Sequence, residues 1–148
     1  MHITAKGRYA FAALIEIAQQ TKHGKAVSVT SIAEKFGVSE IFLEQALAAL
    51  KKNAIIHSKR GAKSEYQLMR ETHLITAFDV LSATERILIE KANSTISKKS
   101  PITESAMKLM VFDKLDKAIE ASLSEITIRD ILEYIKQQNI ELPLMFYI

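Results

Sequence analysis

At 148 residues, 48% hydrophobic and 25% charged, the chain has the composition of one folded domain or one domain with an extension, and is too apolar to be disordered. It contains no cysteine, which excludes disulfides, a thiol nucleophile, thiolate zinc sites and cysteine-ligated iron–sulfur clusters. Its net charge of +3 is unevenly placed: residues 1–70 hold 11 Lys+Arg against 5 Asp+Glu, a net of +6, and residues 71–148 hold 9 against 12, a net of −3. A basic front half suits a polyanion, and an acidic back half implies a different task.

Along the chain, Thr4 is placed to cap a first helix whose apolar positions Ala10, Ala13, Leu14, Ile17 and Ala18 follow helical spacing. Gly24 is its expected terminator. Ala26 to Val29 reads as a short edge strand. Thr30 or Ser31 is then the expected cap of a second helix, "SIAEKF", ended by Gly37. Ser39 suits the cap of a third helix, "EIFLEQALAALKKN", with Leu43, Ala46, Leu47 and Leu50 forming its inward stripe. "IIHSKRGAKSEYQL" follows as a β-hairpin with Lys59, Arg60, Gly61 and Lys63 crowded at its tip. "LITAFDVLSATERILIEKA" reads as one or two helices with Leu74, Phe78 and Leu81 inward. Ser100 and Pro101 open a long helix running to about Leu123. Its apolar stripe, which includes Met107, Met110, Val111, Leu115 and Ile119, is wider than one neighbour requires. Thr127 with Asp130 resembles a capping box for the last helix, "IRDILEYIKQQ". No apolar run approaches the roughly 18 residues that span a bilayer. The first residues lack the pattern of a signal peptide. The expected location is cytoplasmic, with no membrane partner.

The organising feature is helix, glycine turn, helix in "IAEKFGVSEIFLEQAL". Ala33 is small where two helices approach, Gly37 sits in the turn, and Val38 packs beneath it. This is the pattern of a helix-turn-helix, whose second helix can lie in the DNA major groove. A hairpin directly after it makes a winged helix, and a basic wing tip suits phosphate or the minor groove. Solvated lysines that protect an edge strand are the bland explanation of the same charges. The four histidines are scattered, with no helical i,i+4 pair and no HExxH. GxSxG, Walker A and GxGxxG motifs are absent. No cofactor, metal site or enzyme activity is expected from these residues.

Three segments carry a resemblance: "ITAKGRYAFAALIEIA", "SIAEKFGVSEIFLEQALAAL" and "RGAKSEYQL" are similar, in order and spacing over residues 3–68, to the IscR/NsrR/CymR family of bacterial winged-helix regulators, the Rrf-two family. Weaker matches follow in "LITAFDVLSA" and "SLSEITIRDIL", on either side of a stretch matching the family's long dimerisation helix at residues 101–123. The resemblance implies a homodimer that places two recognition helices and two wings on a palindrome. It assigns the DNA surface to Ser39, Ile41, Phe42, Glu44 and Gln45, phosphate contacts to Lys51 and Lys52, and wing contacts to Arg60 and Gly61, to which the charge at the hairpin tip adds Lys59 and Lys63. Lys6 and Arg8 at the start of the first helix add phosphate contacts. Gln45 has the amide that pairs bidentately with adenine, and Glu44 can accept from a cytosine amine or equally serve to repel wrong sites.

Two departures stand out. The family's wing "RGPGGGY" is here "RGAKSEY", which loses three glycines and brings Glu65 toward phosphate. The family's cluster-binding members carry three cysteines before the dimerisation helix, where this chain has "NSTISKKSPITES" and none. The resemblance to members without a cluster leaves a partner protein or a small-molecule effector as the signal.

The expected fold is mainly α with a small β-hairpin: a winged helix-turn-helix domain over 1–70 and a helical dimerisation and signal-receiving region over 71–148. The expected function is a homodimeric regulator of transcription, a repressor on double-stranded DNA, with Met107, Met110, Val111, Leu115 and Ile119 in the dimer core. A winged-helix protein-interaction module that has lost DNA binding is the alternative.

Overall fold

Thr4 sets the start of the chain's first helix. Its hydroxyl accepts from the Gly7 N–H at 3.2 Å, and α1 runs over Ala5–Thr21. The computed structural model describes residues 2–22, 24–59 and 65–145. Gly24 lies just past the end of α1 with φ +72°, a left-handed conformation glycine adopts without cost. Strand β1 (Val27–Ser28) leads directly into α2 (Val29–Phe36). The cap of α2 is Ser28, whose hydroxyl accepts from the Ser31 N–H at 3.1 Å, so neither Thr30 nor Ser31 has that role. The helix begins two residues earlier than sequence suggests because Val29 is buried beside Ile32 and Ala33 and is drawn into it. Gly37 closes α2 at φ +64°, and α3 follows over Glu40–Lys52.

The sheet has three strands, one more than the hairpin. β2 (Ile56–Ser58) and β3 (Glu65–Leu68) pair antiparallel with Ile56 opposite Leu68 and Ser58 opposite Tyr66. β1 adds to the other side of β3, with Val27 opposite Tyr66, giving the order β1-β3-β2. Beneath the sheet, Ala10, Leu14 and Ile17 of α1, Ile32 of α2, the Leu43–Leu47–Leu50 stripe of α3 and Ile55 and Ile56 form one dry core, each fully buried. At about 25 cal/mol per Å² of apolar surface removed from water, each leucine or isoleucine in that core contributes roughly 2 kcal/mol.

After the sheet comes a 3₁₀ turn at Thr72–Leu74, then α4 (Ala77–Thr84). Thr76 and Asp79 form a full capping box at the start of α4. Because that box fixes where α4 begins, Leu74 falls in the preceding turn and is 57% exposed instead of inward. Val80 and Leu81 face the core, and Phe78 is half-buried.

The long helix is real but not uniform. α5 (Pro101–Met107) and α6 (Asp113–Ser124) are joined without a break by a π-helical turn at Lys108–Phe112. A π turn inserts one residue into the helical repeat and rotates the downstream face. Lys108 and Asp113 mark it: the ammonium reaches both carboxylate oxygens, at 2.9 and 2.8 Å, across five residues. That bond and the neighbouring lysines hold the Asp113 carboxyl below the usual carboxylate range.

α7 (Ile128–Met145) continues further than the apolar pattern up to Gln138 indicates. Its box matches expectation: the Thr127 N–H donates to Asp130 at 2.8 Å and the Asp130 N–H returns to the Thr127 hydroxyl at 3.2 Å. Ala77 and Ile128 exchange backbone hydrogen bonds with Ile126 and Ile75, at 2.8 and 2.9 Å, so α4 and α7 start side by side. No helix among the described residues is long and apolar enough to cross a membrane.

Candidate nucleic-acid interface

The turn between α2 and α3 is built from three constraints. Gly37 supplies the left-handed bend, the Val38 N–H donates to the Ala33 carbonyl at 3.1 Å, and Val38 packs against the core. Ser39 occupies the cap position of α3, and its carbonyl accepts from Leu43 at 3.0 Å. Its hydroxyl makes no capping bond, so both the exposed Ser39 side chain and the first turn of α3 face outward with donors unspent.

Burial of Leu43, Ala46, Leu47 and Leu50 fixes the roll of α3. The opposite face carries Ile41, Glu44, Gln45, Ala48 and Lys52, with Phe42 and Lys51 flanking, all exposed. Ile41, Gln45, Ala48 and Lys52 are spaced four, three and four residues apart and make one continuous ridge. Ile41 is 69% and Phe42 58% exposed. Two large apolar side chains beside a free amide, held up on a rigid helix, are more than the fold itself needs. Ala48 is absent from the sequence-predicted set, although the 3.6-residue period already places it between Gln45 and Lys52.

Lys6 and Arg8 are exposed on the first turns of α1, and Lys59 is exposed at the end of β2, where its N–H donates to the Glu65 carbonyl at 2.9 Å. Arg60, Gly61 and Lys63 lie outside the described residues. Strand β3 and α3 sit near enough to interact: burial raises the Tyr66 phenol above its ordinary pKa, and the Glu44 carboxylate adds to the rise. Glu44 itself is exposed on α3.

Sequence reading missed two contacts that hold these elements in place. Arg70, just after β3, donates to the Ala54 and Asn53 carbonyls at 3.2 and 3.1 Å and to Asp79 at 3.4 Å. It closes the C-terminal end of α3, where Ala54 has φ +55°, and ties it to the α4 cap. Glu85, 4% exposed, accepts from both the N–H and the hydroxyl of Thr4, at 3.1 and 2.7 Å. Only long-range geometry brings these partners together, and no local spacing signals them. Among the described residues no cluster of three metal-ligating side chains occurs.

Comparison with known proteins agrees with this geometry. The Rrf2 family model, described as "Iron-dependent Transcriptional regulator", matches residues 3–134. The chain belongs to the Rrf2 family. It is 36% identical over 85 residues to the HTH-type transcriptional regulator IscR of Xenorhabdus nematophila, covering 57% of this chain and 51% of that one. The chain thus aligns with about half the length of the curated relatives it matches. Among solved structures, T. potens IscR superposes with a TM-score of 0.69 at 32% identity, over 93% of this chain and 90% of that one. CymR, the global cysteine regulator of B. subtilis, superposes with a TM-score of 0.68 at 30% identity, over 90% and 98%. These relatives are regulators of transcription and not enzymes. The donors present in this family member do not fit a thiolate-ligated iron–sulfur cluster. It has no cysteine, and residues 93–105, which run into the start of the long helix, offer only hydroxyls, lysines, one amide and Glu104.

Proposed function

We propose that the protein is a homodimeric, sequence-specific DNA-binding regulator, acting in the cytoplasm as a repressor on a palindromic operator, and answering a signal other than an iron–sulfur cluster. The observation that carries this is the outward ridge of α3. A rigid helix presents Gln45 for bidentate pairing with adenine, Ile41 and Phe42 for thymine methyls and sugar, and Lys51 and Lys52 for phosphate. Ser39, Glu44, Lys59, Lys6 and Arg8 flank it, and Arg60, Gly61 and Lys63 belong to the wing in this reading. The dimer rests on the long helix. Met110, Val111 and Leu115 are 64, 53 and 55% exposed, Met107 and Ile119 half-buried. Consecutive large apolar groups on one exposed helix are the composition of an interface core. A second copy applied across that face forms a two-fold pair, with half-sites about 34 Å apart or a multiple of that.

The experiment is selection of genomic fragments by the purified protein, followed by titration of the winning duplex against a scrambled one at several salt concentrations. A palindromic winner bound about a thousandfold more tightly than the scramble supports the proposal. Equal, weak and steeply salt-dependent affinity for both overturns it and favours a protein-interaction role.

A further inference from the structure

A cleft of about 1100 Å³ opens on the side of the molecule between the end of α1, the root of β3 and α7. It is large enough for a small ligand, whose sites commonly run to about 300–1,000 Å³. Its walls are of two kinds. Ala18, Leu68, Leu132 and Ile135 give an apolar floor that is buried or half-buried. Lys22 from the end of α1, Arg70 from the exit of β3, and Arg129 and Lys136 from α7 bring four cations. Glu71 and Glu133 bring two anions, a net of +2.

The pairing within this wall decides which charges remain available. Arg129 binds Glu133 at 3.1 Å, and Glu71 lies 3.3 Å from the His73 imidazole. Lys22, at the end of α1, and Lys136, in α7, both line the cleft with no ion pair among the described residues. The Thr21 hydroxyl, in the same wall, is shielded from water and has no hydrogen-bond partner. An apolar floor lined also by two unpaired cations from different helices selects a molecule with an apolar body and a negative head. A neutral hydrocarbon would leave the cations unused, and a polyvalent anion would lie against the floor without its water.

We infer that this cleft is a binding site for a small organic anion with an apolar body, held by Lys22 and Lys136 over Leu68, Leu132 and Ile135. The cleft shares Arg70 with the C-terminal end of α3. A ligand seated there therefore borders a side chain that fixes the recognition helix. The binding claim itself stands apart from the DNA-binding proposal, because its test contains no DNA.

The test uses the full chain and two probes, anilinonaphthalene sulfonate and decanoate. Wild-type protein is expected to bind the sulfonate saturably, at one site per chain, with decanoate displacing it and decanol displacing it at least tenfold less well. The exposed double variant Lys22→Glu/Lys136→Glu is expected to bind at least tenfold more weakly. Lys98→Glu/Lys99→Glu makes the same change of charge outside the cleft, and is expected to bind as wild type does. Equal binding by the two double variants overturns the assignment of the site. Equal displacement by decanol overturns the anionic head. Non-saturable binding, or none because a second copy covers the cleft in the dimer, overturns the site altogether.

Discussion

Replacing Gly7 by alanine should destabilise this protein, although glycine within a helix is ordinarily a weakness. Alanine favours a helix over glycine by up to about 1 kcal/mol. Here a Cβ on residue 7 would overlap the Glu85 carboxylate oxygen and stand 2.9 Å from the Ile3 Cγ2 methyl. The isoleucine can rotate away, but the carboxylate is buried and held by two hydrogen bonds from Thr4. Hydrogen bonds to a charged group contribute roughly 1.5–3 kcal/mol each, and expelling the carboxylate breaks both. Set against the helix preference, the net loss is about 2–5 kcal/mol. For a chain of this size that corresponds to a fall in Tm of roughly 4–20 °C.

The sign of the effect should depend on Glu85. In a Glu85→Ala background the obstruction is gone, so Gly7→Ala should become neutral or stabilising by up to about 1 kcal/mol. Urea denaturation of the four proteins of that cycle gives the coupling directly. If Gly7→Ala stabilises the wild-type chain, or costs the same in both backgrounds, the glycine is not there to admit Glu85 and the reasoning fails.

Other consequences are as open to measurement. Gln45→Ala should weaken binding to the selected operator by about 1–3 kcal/mol, some 5- to 150-fold, and relax preference at one base pair per half-site while leaving non-specific affinity alone. Lys52→Ala should instead weaken all duplexes alike and reduce the salt slope by about one per chain. Arg70→Met should lower stability by about 1–2 kcal/mol, read by urea denaturation, since it removes caps on two carbonyls and a half-exposed pair with Asp79. Arg70→Lys should not restore it, because one ammonium cannot span three acceptors as the planar guanidinium does. Val111→Glu should shift the protein to monomer at micromolar concentration in sedimentation, without loss of helical content. Asp130 is held below the usual carboxylate range by its hydrogen bonds from the Thr127 backbone and side chain. A depressed folded pKa means its contribution is present above the ordinary carboxylate pKa and is lost as pH falls through the lower folded value. The difference in stability between wild type and Asp130→Asn should therefore shrink on acidification below the usual carboxylate range, and a difference that grows would contradict that assignment.

The parts of this protein that sequence revealed are those governed by near neighbours. The cap at Thr4, the left-handed Gly37, the Leu43–Leu50 stripe and the Thr127–Asp130 box each depend on residues within one or two turns, so spacing alone discloses them. The exposed face of α3 was legible for the same reason, since fixing its buried stripe fixes what remains outside. β1 was legible as an edge strand, but its pairing to β3 was not, because Val27 and Tyr66 are 39 residues apart. The π turn escaped notice because the stripe through Leu109, Met110 and Val111 is apolar on either helical register. Nor does Glu85 announce itself: a glutamate after "LSAT" reads as a solvated end of α4, and only the approach of α1 shows that it is buried.

Those unannounced contacts meet on one short helix. α4 is tied at its start to the end of α3 through Asp79 and Arg70, and to the start of α7 through the Ile75–Ile128 backbone bond. Just past its last residue, Glu85 ties it to the start of α1. The same eight-residue helix packs against α1, α3 and α6. A movement of the long helix can therefore reach the recognition ridge by carrying α4 with it or by breaking one of these polar ties. Carrying α4 would move α1 and α3 together, since both pack directly against it, and would alter the relation between the two halves of a dimer more than the shape of either. Breaking the Arg70 tie would instead free the end of α3 alone. The two routes separate cleanly: with Arg70→Met, a signal transmitted by rigid movement keeps its effect on operator affinity, whereas one transmitted by release of α3 loses it, because the tie it would break is already gone.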